Sequence, residues 1–154
     1  NLRPTDKFNV LLFSGGSSLM AETSLPATPA NIQRAMATID RQQGGGATEL
    51  LPALKRAMSL KKDDDFSRTM VIVTDGYVNV EEKAFDFIHN NLGKANLFAF
   101  GIGSSVNRHI IEGMAHVGLG EPFVITKPPH NTYASNATTK VFHVEIRQKK
   151  ADMV

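Results

Sequence analysis

The sequence predicts an α/β fold in which a mainly parallel, doubly wound sheet carries helices on both faces. Short apolar runs alternate with amphipathic segments along the 154 residues, as in strand–helix–strand units. One of these runs, at 70–73, is apolar without a break, which is typical of a parallel strand covered on both faces. Hydrophobic residues make up 42% of the chain, which is enough for one domain with a core.

The first half contains a long strand, a short strand and two helices. Residues 8–13, FNVLLF, lie between charged residues and the turn-forming SGGSS, so we expect a buried strand there and a short edge strand at 18–22. Thr28 and Pro29 are typical of a helix start, and apolar residues at helical spacing follow them. A second helix is expected to begin at or just after Thr48.

The second half alternates strands with helices. Apolar runs bounded by turn residues predict three strands, at 69–76, 96–103 and 121–125. Two helices fill the intervals between them. We expect Asn79 and Ser105 to cap their starts, and Gly93 and Gly118 to lie at their ends.

The C-terminal segment fits two structures. In NATTKVFHVEIRQ, residues 136–148, apolar residues alternate as in a strand, yet Phe142 and Ile146 also stand four apart, as on a helix. The alternating order of the other elements favours a helix. We therefore expect a domain core over 1–127 and a C-terminal segment with a last helix and a tail over 128–154.

Composition excludes several classes of protein. The chain has no cysteine, so disulfides and thiolate chemistry are absent. Its net charge is +2 and no basic stripe with interleaved aromatic residues occurs, so nucleic-acid binding is not expected. No run of about 18 apolar residues is present, and a membrane span is therefore not expected either.

Two residues are candidate ligands of a hard metal ion. Ligands of an open parallel sheet bind outside the carboxyl ends of its strands, and Asp75 stands at such an end. Thr48 stands at a helix start, on a loop that could reach the same edge. Oxygen ligands from separate loops suit Mg²⁺, Mn²⁺ or Ca²⁺. On spacing alone, the structural alternative is favoured: Thr48 caps its helix while Asp75 accepts bonds from nearby backbone N–H groups.

The motifs that would indicate an enzyme are each incomplete in this sequence. GIGSSV at 101–106 follows a strand and opens a helix, but it lacks the third glycine of a dinucleotide fingerprint. GGGATE lacks the lysine of a phosphate loop, and SGGSS is not a hydrolase nucleophile elbow. The enzymatic alternative is a Rossmann-like nucleotide-binding or Mg²⁺-dependent phosphoryl-transfer domain. It would use Asp75 with the metal and the GIGSS turn as an anion nest.

Taken together, four segments resemble a von Willebrand factor A-type domain. They are DKFNVLLFS, ATPANIQRAMATIDRQQGGGATELLPAL, TMVIVTDGYVNVEE and LFAFGIGSSVNRHIIEGMAHVGLGEPFVI, which follow one another within about residues 3–127. GIGSSVNRHIIEGMA is similar to the branch found in inter-alpha-trypsin inhibitor heavy chains and their bacterial relatives. The resemblance implies a Rossmann-like fold and a non-enzymatic protein-binding or adhesion module, extracytoplasmic or at the cell surface.

The resemblance also implies a metal-ion-dependent adhesion site. In this family three loops hold the metal, usually Mg²⁺, and an acidic side chain of a partner protein completes its coordination. Thr48 occupies the place of the second loop's threonine, and Asp75 that of the third loop's aspartate. Both residues are therefore implied as metal ligands, with Ser14 and Gly76 as neighbours of the site.

The chain departs from the family at the first loop. That loop carries Asp-x-Ser-x-Ser after the first, central strand, and no such motif occurs here. FNVLLF matches the family's second strand, so we expect the first strand and most of its helix to precede Asn1. Because three of the five expected ligand positions are absent, we expect metal binding by this chain to be weak or absent. A remnant that binds nothing is a further possibility.

A sheet that lacks its middle strand has unpaired backbone groups at the gap. We expect the gap to be closed in one of three ways. The flanking strands pair directly, the C-terminal VFHVEI inserts, or another chain supplies a strand, as in a homo-oligomer or a strand exchange.

Overall fold

A computed structural model describes residues 2–42, 49–61, 65–74, 81–102, 107–125 and 142–149. The described residues form one seven-stranded sheet with helices on both of its faces, which confirms the α/β class. The strands are β1 (Lys7–Phe13), β2 (Ser17–Leu19), β3 (Leu25–Pro26), β4 (Phe66–Thr74), β5 (Asn96–Ile102), β6 (Pro122–Ile125) and β7 (Phe142–Lys149). The helices are α1 (Pro29–Asp40), α2 (Leu50–Ser59), α3 (Glu81–His89) and α4 (Arg108–Val117), with a 3-10 turn at Leu92–Lys94.

The strand order is β2-β1-β7-β4-β5-β6, with β3 pairing beside β1. The β4–β5 and β5–β6 pairs are parallel, as predicted for the strand–helix–strand units. β7 is antiparallel to both β1 and β4, so β1 runs in the same direction as β4 although the two strands are not paired with each other. The four main strands thus share one direction, and β7 alone among the central strands opposes them.

The expected C-terminal helix is wrong: β7 is a strand. It lies between β1 and β4, at the position where we expected the middle strand of the sheet to be missing. Pairing on both sides satisfies backbone groups that two facing strand edges would otherwise leave unpaired. The alternation within VFHVEI suits this position, whereas the alternating order of the other elements had favoured a helix. Of the three expected ways to close the gap, insertion of the C-terminal segment is the one observed.

Two apolar cores lie on opposite faces of the sheet, and β1 contributes to both. Leu11 and Phe13 pack with α2, α3, α4 and the inner residues of β4 and β5. Phe8, Val10 and Leu12 pack with α1 on the other face. A strand covered on both faces needs apolar residues at successive positions, which explains the unbroken apolar run from Val10 to Phe13.

The predicted N-cap residues of the helices are confirmed only in part. The Thr28 hydroxyl oxygen accepts the backbone N–H of Asn31 at 3.3 Å, and Pro29 opens α1, so this predicted cap is confirmed. For α4 the predicted cap, Ser105, is wrong because the helix begins three residues later. Asn107 caps it instead, and its side-chain oxygen accepts the N–H of Ile110 at 3.4 Å.

The predicted helix ends also differ in part. Gly118 lies just past the end of α4, as expected. Gly93 does not end α3, because that helix stops at His89 and Gly93 lies within the 3-10 turn. The predicted cap Asn79 lies outside the described residues.

Coverage of the sheet is uneven. The face of β4 and β5 towards α3 and α4 is sealed, with Met70 and Ile72 fully buried. On the other face the rings of Phe100 and Phe123 stack with their centroids 4.5 Å apart. Phe123 and Ile125 remain 38% and 40% exposed there. The described helices therefore cover the α1 face chiefly at β1.

Candidate metal centre

The candidate site lies at the carboxyl edge of the sheet, where β1 and β4 end level with each other. Leu12 near the end of β1 and Val73 near the end of β4 both pair with Phe142, the first residue of β7. Only β7 separates the two strands, so their ends stand two strand spacings apart, or about 10 Å. The loops after β1 and after β4 consequently start from the same edge.

The structure does not describe Thr48, Asp75 or Gly76. It does describe Glu49, which follows Thr48, and Thr74, which precedes Asp75, and both lie at this edge. The backbone N–H of Glu49 donates to the carbonyl oxygen of Ser14 at 3.1 Å, which ties the start of α2 to the turn after β1. Thr74, the last residue of β4, is 1% exposed.

Ser14 opens a tight turn directly after β1. Its backbone N–H donates to the carbonyl oxygen of Gly16 at 2.8 Å, and its carbonyl oxygen receives the bond from Glu49. The residue is exposed. The structure therefore places Ser14 beside the start of α2, in keeping with its expected position near the site.

Glu49 holds the N-cap position of α2, and its side chain makes no capping bond. The helix-cap alternative for Thr48 loses support, because the cap position falls one residue further along. The exposed Glu49 carboxylate lies at the positive end of the helix dipole, where a negative charge is favoured. The sequence pattern did not single it out, although its place between a threonine and the first helical turn was a usable signal.

The described residues do not complete a metal site. Across the six described ranges, no three His, Asp or Glu residues are grouped so that they could hold a metal ion. Mg²⁺ requires near-octahedral oxygen coordination and keeps several waters when protein ligands are few. Among the described residues, Ser14, Glu49 and Thr74 lie at this edge, and Thr48 and Asp75 lie outside the described residues.

The enzymatic alternative needs free backbone N–H groups at the start of α4 to form an anion nest, and a side chain already uses one of them. The turn at 103–106 is outside the described residues, but the start of α4 is described. There the side chain of Asn107 already accepts the N–H of Ile110, one of the donors that a phosphate would use. None of the described helices has the length and apolar character that crossing a bilayer requires.

Comparison with known proteins identifies the family. The sequence matches the von Willebrand factor type A domain over residues 1–121. It is 30% identical, over 121 residues, to a von Willebrand factor A domain-containing protein of Dictyostelium discoideum. The matched region covers 78% of this chain and 13% of that protein. It is 30% identical to inter-alpha-trypsin inhibitor heavy chain H3 of Bos taurus over 128 residues, covering 75% of this chain and 14% of that protein. The human heavy chain H3 is 28% identical over the same shares.

The chain thus spans only 13% and 14% of the length of these two relatives. The family match includes β1, β4 and β5, and also Thr48 and Asp75 in the sequence. Because the match covers 121 of 154 residues, this chain belongs to the von Willebrand factor type A domain family.

Proposed function

We propose that this chain is a protein-binding module whose recognition surface is the carboxyl edge of the sheet. A divalent cation, Mg²⁺ or Mn²⁺, is held there by Thr48 and Asp75, and an acidic side chain of a protein partner completes its coordination. With few protein charges around it, such a cation stays attractive to an outside carboxylate. Membership of the von Willebrand factor type A family supports a protein-interaction module rather than an enzyme.

One observation carries the proposal: the described neighbours of both candidate ligands lie at one edge. The Glu49–Ser14 hydrogen bond places the residue after Thr48 beside the end of β1. The shared pairing with Phe142 places the end of β4, just before Asp75, level with it. Two loops that begin about 10 Å apart can converge on one ion, whereas loops at opposite edges could not.

The same geometry explains why binding is expected to be weak. The amino end of β7 lies between the ends of β1 and β4, where the family's first strand would deliver its Asp-x-Ser-x-Ser loop. No such motif occurs in the chain. Waters must therefore fill most of the coordination shell, and we expect a dissociation constant of about 1 mM.

Isothermal titration calorimetry with Mn²⁺ and Mg²⁺ tests the metal. We expect saturable heat for the natural chain and none for the Thr48→Ala, Asp75→Ala double variant. A matched control, Thr38→Ala with Asp86→Ala, removes the same residue types from α1 and α3 and should titrate like the natural chain. If the natural chain and the Thr48/Asp75 variant give the same trace, the metal hypothesis fails.

Partner recognition is tested separately. An immobilised peptide rich in Asp and Glu should retain the chain in Mn²⁺ and release it in EDTA, because the cation bridges the two carboxylate-bearing surfaces. A peptide with Asn and Gln at the same positions is the control. Equal retention with and without the metal would contradict the proposed mode of recognition.

A further inference from the structure

β6 forms an open edge of the sheet. It is the last strand in the order, and among the described residues no strand pairs with its outer side. Such an edge has unpaired backbone N–H and C=O groups, which can pair with a strand of another chain. Pro122 has no N–H, so the part of β6 that can form a ladder is 123–125.

Exposed apolar side chains are concentrated beside this edge. Five large apolar side chains of the described residues are exposed, and four of them lie in β6, at the end of the neighbouring β5 or in the turn before β6. A cluster of this kind beside an unpaired strand is typical of a contact surface, whereas scattered residues would need no explanation. The four residues are Ile102, Leu119, Phe123 and Ile125.

Phe123 and Ile125 lie on the face of the sheet that the described helices leave open. The ring of Phe123 stacks there on that of Phe100. Val124 packs against the core on the other face. Because side chains alternate along a strand, Ile125 shares the face of Phe123, and an apolar neighbour beyond the edge of β6 would cover both.

Leu119 is held at the amino end of β6 by an unfavourable backbone conformation. Its φ is 54°, in the left-handed region that glycine usually occupies at the end of a helix. Its N–H donates to the carbonyl oxygen of His116 at 3.4 Å, and the Gly120 N–H donates to that of Ala115 at 3.0 Å. The side chain is 73% exposed, so within this chain it gains little burial in return for the strain.

The two ends of the edge carry opposite charges. Glu121 lies at the amino end of β6, and its exposed carboxylate forms no hydrogen bond or ion pair with a described residue. Arg108 opens α4, which begins at the carboxyl end of this part of the sheet and ends before β6 starts. Arg108 is 68% exposed and lies 3.7 Å from Glu112, a separation at which a surface ion pair contributes little.

We propose that β6 pairs with β6 of a second copy of this chain, antiparallel and about a two-fold axis at Val124. In this register Phe123 lies opposite Ile125 of the second copy on the same face, so the exposed side chains cover each other. The reversed direction brings the amino end of β6 beside the carboxyl end of the other β6. Glu121 of each copy then lies towards Arg108 of the other, and the same ion pair forms twice.

α4 fits the same arrangement. It contacts both β5 and β6, so its axis lies over this pair of strands. Pairing two β6 strands therefore separates the two α4 helices by about two strand spacings, or about 10 Å. Packed helices lie about 8–10 Å apart, so the helices touch without separating the strands. A second copy thus supplies a strand and a helix together, whereas a foreign strand would supply only the first.

The interface is small, and the dimer is expected to be weak. One short strand and one side of a helix bury less than the about 1,200 Å² of a stable complex. We expect a dissociation constant of about 10–100 µM. The two carboxyl edges lie at opposite ends of such a dimer and stay open, so the interface does not depend on the metal.

Sedimentation equilibrium in EDTA tests the dimer over concentrations from about 5 µM to about 1 mM. Arg108→Glu alone and Glu121→Arg alone each bring like charges together at both ends, so each should weaken dimerisation at least about tenfold. An equimolar mixture of the two variants should dimerise again, because every pair across the interface is then of opposite sign. Circular dichroism of each variant confirms that it is folded.

Matched controls make the same changes of charge away from β6. Lys55→Glu on α2 and Glu82→Arg on α3 replace exposed residues and should dimerise like the natural chain. A natural chain that stays monomeric up to about 1 mM overturns the proposal. So does a mixture of folded variants that stays monomeric, or dimerisation that neither Arg108→Glu nor Glu121→Arg weakens.

Amide hydrogen exchange locates the contact. Exchange over 123–125 should slow about tenfold in a concentrated sample compared with a dilute one, while exchange over 7–13 stays the same. Equal exchange of β6 in both samples places the dimer contact elsewhere and overturns the proposal. A chain that stays monomeric while an unrelated extended peptide protects 123–125 would assign the edge to a foreign strand and overturn it as well.

Discussion

Replacing Gly120 with alanine tests how tightly the turn after α4 packs on the sheet. A Cβ at this position would lie 1.7 Å from the carbonyl oxygen of Leu97 and 2.6 Å from its carbonyl carbon. The clash is with backbone of β5, so no side-chain rotation relieves it. The turn is also held by two hydrogen bonds: Gly120 N–H donates to Ala115 at 3.0 Å, and Leu97 N–H donates to Gly118 at 3.2 Å.

Relief of the clash requires the turn to move away from β5, which strains the packing and lengthens both hydrogen bonds. Overpacking costs about 1–3 kcal/mol, and each weakened bond about 1 kcal/mol. We therefore expect Gly120→Ala to lower the free energy of unfolding by about 3–5 kcal/mol. That is a large share of the stability of about 5–15 kcal/mol that is usual for a domain.

Urea denaturation followed by far-ultraviolet circular dichroism measures the loss. Gly93→Ala is the matched control: a Cβ there meets nothing within 4 Å, so we expect a change of at most about 1 kcal/mol. The packing argument is refuted if Gly120→Ala unfolds within about 1 kcal/mol of the natural chain, or if both replacements cost the same.

Two further predictions concern helix capping and charge in the sheet. Thr28→Ala removes the acceptor for the Asn31 N–H and should lower the free energy of unfolding by about 1 kcal/mol in the same urea assay, and an unchanged midpoint would contradict the capping role. Arg147→Glu should raise the midpoint by the equivalent of about 1 kcal/mol, because Arg147 pairs with Lys7 on one side and Arg68 on the other. Gln148→Glu, the neighbouring control, should leave the midpoint unchanged.

The sequence predicted those parts of the fold that depend on local pattern. The apolar run of β1 and the Thr28–Pro29 start of α1 each carried one dominant signal, and both were confirmed. β7 was mispredicted because its apolar residues fit two periodicities, and the choice between them depends on two strands distant in sequence. Asn107 rather than Ser105 caps α4, and the sequence did not separate the two because both residue types serve as caps and they stand two positions apart.

The sequence predicted the edge of the sheet at which the candidate site lies, but it did not by itself identify the residues that form the site. The rule that ligands bind at carboxyl ends of parallel strands pointed to the edge where Ser14, Glu49 and Thr74 lie. Thr48 and Asp75 were candidates from their positions in the sequence, but threonines and aspartates at loop starts also serve as caps, so only the family resemblance favoured them as ligands. Glu49 was missed because the pattern placed the start of α2 only at or just after Thr48, and the residue's contact with the end of β1 is a backbone hydrogen bond to Ser14.

Paramagnetic broadening by Mn²⁺ tests most directly whether the carboxyl edge holds a cation. In a nitrogen–proton correlation spectrum of the natural chain, we expect substoichiometric Mn²⁺ to broaden the amide signals of Ser14, Glu49 and Thr74 first. The Thr48→Ala, Asp75→Ala variant should lose this selectivity. Uniform broadening, or broadening that begins at the opposite edge around Gly93, would contradict a metal centre at the ends of β1 and β4.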